Sequence, residues 1–474
     1  MILSNARLGA RLGDGIVDIR IEHGVIAEIG PRLSNGDRVD LGGRWVSPGL
    51  WDEHVHFTQW ALSSQRVDVS QALSARDAAA VMGAAVGSGL GMLVGGGFRD
   101  ALWPDAPTAE LLDAAAGDLP TVLVSGDLHS VWLNSAALTM FGYAGHPTGL
   151  LREDDAFGIE KQLGTMPDET IDGWARAAAA AAARRGVVGI VDLEMAWNLE
   201  AWQRRVAAGH DTLRVEFGVY TQHLDRAIAE GLRTGQRFGE LLTMGRYKVL
   251  ADGSLNTRTA HTLDPYLDGS HGQFTVPFDV LLPLMRTASN AGIVPSIHAI
   301  GDRANTLVLD AFEQLGVGGR IEHAQLLADS DLTRFARLGV TASVQPEHAM
   351  DDREVADAYW SGRTARMYPF RALLDAGATL AFGSDAPVTP LDPWLGIAAA
   401  VSRSRDGQEP WHPEQRISAA EALAAASRTT VAVGQPADLV VTDLDPLTAT
   451  GDDLRRMPVA ATLLGGRLTH DALG

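Results

Sequence analysis

Short apolar runs recur along the middle of the chain, and between most of them lie stretches whose composition suits helices. The runs fall at about 49–54, 187–192, 213–220, 246–251, 293–298, 319–323, 340–345 and 379–384. Helical stretches such as Arg303 to Leu315 and Asp329 to Leu338 follow them. Strands alternating with helices imply a parallel sheet, and eight such units imply a (β/α)8 TIM barrel whose active site lies at the C-terminal ends of the strands.

The pattern changes at both ends. Ile16 to Ile21 and Val25 to Ile29 read as short strands separated by glycine and asparagine turns. Ala437 to Thr442 and Ala460 to Leu464 read the same way. Either end alone is too small for a core, so residues 1–47 and 430–474 are expected to form one composite β-sandwich flanking a barrel over 48–429. The gap between the first two barrel strands, about 57–186, is too long for a simple crossover. It carries strand-like runs of its own at Leu93 to Gly95 and Thr121 to Val124, which predicts an inserted cap subdomain at the barrel mouth. Trp174 to Arg185 is an alanine run that reads as a packed helix.

Composition narrows the chemistry. With 46% hydrophobic residues a large core can be buried. A formal charge of −20, spread along the chain, argues against a nucleic-acid partner, which needs a basic face, and suits a cytoplasmic protein. No run approaches the ~18 apolar residues of a membrane span, and the start lacks the basic and apolar segments of a signal peptide. There are no cysteines, so any metal must be held by His, Asp, Glu or Lys. Of 39 basic residues only Lys161 and Lys248 are lysines. Arginine cannot act as a neutral amine, so a surviving lysine is a candidate for amine chemistry. Lys161 sits in a charged helix and reads as solvated.

Candidate ligands stand at the strand ends. His54 and His56 share a face because side chains alternate along a strand. Lys248 lies on strand four, His298 on strand five and His323 on strand six, and Asp385 follows strand eight. Any one buried histidine is more often a satisfied core residue. Five ligand types and the rare lysine at matched positions are not explained that way, and they imply a divalent-metal site.

These ligands resemble those of the amidohydrolase superfamily. So do the segments Asp127 to Leu138, Asp252 to Ser254, His298 to Asp302 and Gly434 to Leu439. Within that superfamily the sequence is similar to the YtcJ-like (amidohydrolase 3) branch that includes N-substituted formamide deformylase. The resemblance covers nearly the whole chain, although the segment before Gly434 is shorter than the family's. It implies that His54, His56 and Asp385 hold the more buried ion and that His298 and His323 hold the second. Lys248 would bridge the two as a carbamate. One or two ions are implied, with zinc the natural choice and manganese, cobalt or iron able to substitute. Such ions lower the pKa of bound water toward about 7, and Asp385 would serve as general base and then general acid. The implied reaction is hydrolysis of an amide or formamide C–N bond in a small molecule. The alternatives are cleavage of a cyclic amide, carbamate or ester, a deamination, or a metal-binding barrel without catalysis. A homodimer is expected by analogy.

Other positions have two readings. His129, Trp132 and Asn134 either line the substrate pocket or fold the insertion. Asp252 and Arg258 either orient Lys248 or bind substrate. Gln345, Pro346 and His348 end strand seven and face the mouth, with Gln345 taken as a substrate contact. Arg320 and Glu322 either support the metal histidines or form a structural ion pair. The latter is favoured for Glu322 because strict alternation with His323 would turn it away from the pore.

Overall fold

The eight runs are the strands of a barrel. A computed structural model describes residues 1–9, 15–63, 66–86, 92–163 and 167–474. The barrel strands are β1 (Leu50–Val55), β2 (Val187–Asp192), β3 (Arg214–Tyr220), β4 (Leu242–Leu250), β5 (Pro295–Ala299), β6 (Gly319–His323), β7 (Val340–Val344) and β8 (Leu380–Phe382). They pair in sequence order, all parallel. β8 is shorter than expected. Beyond it the ladder continues as a single bridge between Val55 and Ala386 that closes the ring onto β1. The Asp385 N–H donates to the His54 carbonyl at 2.7 Å, and the His56 N–H donates to the Ala386 carbonyl at 2.8 Å. The first and last candidate ligands are therefore held together by main chain. Only glycine fits at 383, where a Cβ would lie 2.6 Å from that of His54.

Residues side by side in parallel strands face the same way, and here they fill the lumen with polar groups. Tyr220 is in register with Lys248, Lys248 with Ser296 and Ser296 with Arg320; His298 is in register with Glu322, and Glu322 with Ser343. Outside the sheet, helices Phe278–Asn290 and Asp302–Leu315 bury one apolar face each against the strands. The alanine run lies in helix Asp168–Ala183, whose Ala175, Ala178, Ala179 and Ala182 allow close approach to the barrel.

The insertion has a five-stranded sheet of its own, from Val67–Asp68, Leu93–Phe98, Thr121–Ser125, Ser130–Leu133 and Leu150–Arg152, with two small cores. Helices Phe57–Ser63 and Asp168–Ala183, within its expected limits, belong to the barrel core instead. The two chain ends share one eight-stranded sheet in which Trp45–Pro48 pairs with Leu439–Thr442. Its strands form a single hydrogen-bonded sheet, and Ile2–Leu8, Arg38–Asp40 and Arg467–Asp471 join it without having been foreseen. Leu3, Ile19, Ile26, Leu439 and Leu463 form its core.

Candidate metal centre

His54 is the last residue but one of a fully buried strand, and His56 follows its end. Their Nε2 atoms lie 3.3 and 3.4 Å from Asp385 Oδ1. That oxygen is buried but makes no aligned hydrogen bond. The other His54 nitrogen, Nδ1, lies 2.8 Å from Glu322 Oε2. Arg320, 3.0 Å from Glu322, and His54 itself outweigh the cost of burial and hold this carboxyl well below its usual range. As a carboxylate it can only accept, so Nδ1 carries the proton and Nε2 presents a lone pair. Burial and the nearby Lys248 lower His54 to about 4, leaving it neutral. A lone pair and a carboxylate oxygen thus face each other at 3.3 Å, an arrangement that a cation between them relieves.

His298 and His323 stand alongside, with ring centroids 4.5 Å apart, and His323 lies 5.1 Å from His54. Burial pushes both pKa values well down, toward the neutral form that ligation requires. Lys248 is 1% exposed, and its Nζ has no hydrogen-bond partner. Burial lowers its pKa to about 8. All six candidate side chains line one cavity at the barrel mouth. Among the described residues, two three-residue groups have ligand atoms within 4.8 Å of one another: His54, His56 and Asp385, and His323, His348 and Asp385. His348 had been placed at the mouth from sequence without a role, and its Nε2 is buried and unpartnered.

Glu322 departs from expectation. Alternation puts Arg320 and Glu322 on the lumen side, beside Ser296 and His298. His323 then escapes the alternation, because β6 ends there with φ of +74° and its ring also lines the mouth. Both residues therefore face the site, and Glu322 orients His54.

A cavity of about 850 Å³ opens above the cluster, with Arg99, Asp127, His129, Phe157 and Glu160 of the insertion forming part of its wall. His129 Nδ1 lies 2.9 Å from Glu153 Oε2. Burial opposes its charging, but Glu153 and Asp127 push the imidazole up to about 9. Asp127 accepts from Ser254 and Glu153 from Thr259, which pins the insertion to the loop after β4.

The other predicted substrate contacts stand back from the cavity wall. Trp132 donates Nε1 to the Thr108 carbonyl, and Asn134 caps helix Ser135–Met140; both fold the insertion. Asp252 accepts from the N–H groups of Ile300, Gly301 and His261 and lies 3.4 Å from His298 Nε2, so it orients His298, not Lys248. Arg258 stacks on Tyr359. The Gln345 amide lies 3.4 Å from His54 Nδ1, beneath the cluster. Tyr220, missed in the sequence, lines the cavity. Its place at the C-terminal end of β3 was the available signal.

An amidohydrolase-family model matches residues 37–470. The chain belongs to the amidohydrolase family. It is 30% identical to Protein LONG AFTER FAR-RED 3 of Arabidopsis thaliana, covering 90% of this chain and 83% of that one. N-substituted formamide deformylase of Arthrobacter pascens is 26% identical, covering 94% and 92%. Among solved structures, an uncharacterised metal-dependent hydrolase from Pyrococcus horikoshii superposes with a TM-score of 0.80 at 26% identity, covering 95% and 99%. Among the described residues of this amidohydrolase, no helix is long and apolar enough to cross a membrane.

Proposed function

We propose that this amidohydrolase cleaves a linear C–N bond, of N-substituted amide or formamide type, in a small molecule that enters the cavity. One or two divalent ions would serve it, zinc foremost, since imidazole and carboxylate donors suit zinc. The observation that carries the reading is the His54 lone pair facing Asp385 Oδ1 at 3.3 Å. The substrate class draws support from the likeness to the formamide deformylase.

A bound divalent ion lowers the pKa of water and polarises an acyl oxygen. His54, His56 and Asp385 would hold one ion, and His298 and His323 the other. The neutral Lys248 amine would add to carbon dioxide and lose a proton, and the resulting carbamate would supply further oxygen donors to the site. Asp385 accepts a proton from the attacking water and returns it to the leaving nitrogen. His129, charged at neutral pH, offers a hydrogen-bond donor from the insertion wall.

The test is metal analysis of the purified protein, then turnover of N-formyl, N-acyl and carbamate compounds before and after chelation. Activity that disappears with the metal and returns on reloading is expected; full activity without metal overturns the reading. Asp385→Asn should lower turnover by about 10²-fold or more. Product analysis separates amide cleavage from ester cleavage, ring opening or deamination.

A further inference from the structure

The metal-site reading leaves His348 without a task. His348 opens the short helix His348–Asp351 just after β7. It is 7% exposed, and its Nε2 is buried with no hydrogen-bond partner. A histidine buried for packing alone normally satisfies its ring nitrogens, and this one does not.

Its surroundings show where the ring is aimed. His348 stacks on His323 with centroids 6.2 Å apart and planes 23° from parallel. His323 Nδ1 and Asp385 Oδ1 are also buried without hydrogen-bond partners. One nitrogen of each histidine and one oxygen of Asp385 lie within 4.8 Å of one another. Two imidazoles and a carboxylate converging in this way form a donor set for a divalent ion. Asp385 belongs equally to the His54 and His56 group, so the two groups share one residue. His298 packs on His323 from elsewhere and is engaged by Asp252 and the Gly253 carbonyl, each 3.4 Å from its Nε2.

We propose that His348 is a metal ligand, completing a second cation position with His323 and Asp385. This rests on the reading that the centre holds divalent metal, and it adds a ligand from β7 to those from β1, β4, β5, β6 and β8. A reach from β7 follows from the barrel itself, because all eight strand ends open on the same mouth.

The test uses the full chain loaded with cobalt(II). Metal content and chelator-competition affinities are measured for the parent and for His348→Asn, with circular dichroism to confirm folding. The variant should hold its more weakly bound ion at least tenfold less tightly and keep the tighter one. The chain has no cysteine, so His348→Cys gives a second readout: a thiolate-to-cobalt charge-transfer band could come only from position 348. Parent-like affinities in His348→Asn, together with no such band in His348→Cys, would overturn the assignment. A parent chain that binds no cobalt would instead overturn the metal-site reading beneath it.

Discussion

His54 Nδ1 and Glu322 Oε2 are 2.8 Å apart, joining the first strand of the barrel to the sixth. The carboxylate fixes which imidazole nitrogen keeps its proton, so the other faces Asp385 as a ready donor. Glu322→Gln keeps an acceptor but removes the charge. Metal affinity should fall about 10- to 100-fold, measured by chelator competition, with the fold intact. Glu322→Ala would be less informative, because it strips Arg320 of a buried partner at 3.0 Å and destabilises the barrel itself.

Lys248 has no hydrogen-bond partner for its buried amine. A carbamate on that nitrogen would be an oxygen donor in addition to Asp385. Lys248→Arg should lose metal, because guanidinium cannot form a carbamate and remains a cation. Lys248→Ala should regain part of its metal and activity when short carboxylic acids are added. Elemental analysis of the two variants decides it, and full occupancy in Lys248→Arg rules the bridge out.

Asn134 satisfies four main-chain groups: it accepts from Thr121 and Ala137 and donates to the Gly117 and Leu119 carbonyls. Its work is structural. Asn134→Ala should cost about 2–4 kcal/mol, through a lost cap and unsatisfied buried groups. Denaturant unfolding should register this while KM at low temperature stays unchanged. A selective rise in KM would return Asn134 to the substrate site.

His210 packs edge-on to Trp202 and donates Nε2 to the Leu213 carbonyl. Burial lowers its pKa from 6.5 to about 4. The unfolded chain then binds the proton more readily than the folded one, so stability is full above pH 6.5 and declines as the pH falls toward 4. At pH 5 the deficit is about 2 kcal/mol. His210→Gln should flatten the fall of Tm between pH 7 and 5 relative to the parent. The same slope in both proteins would mean that His210 is not the group responsible.

The barrel was legible because buried parallel strands are short and apolar and end in residues that packing alone would not select. His54, Lys248, His298, His323 and Asp385 each close or follow such a run. What the sequence hid depends on geometry across strands. Strict alternation misplaced Glu322, because nothing in the letters marks the left-handed turn at His323. Trp132 and Asn134 share a segment with His129, yet only His129 reaches the cavity, since the sheet of the insertion turns the others into its own core. The unpartnered nitrogen of His348 is visible only once its neighbours are in place.

The strand Trp45–Pro48 that leads into β1 takes one partner from Ile2–Leu8 and the other from Leu439–Thr442, far along the sequence. A nascent chain therefore presents His54 and His56 long before Asp385, and the later partner of the strand leading to them, are made. A product cut short before residue 439 would therefore keep all eight barrel strands yet lack the strand that steadies the doorway into the first of them.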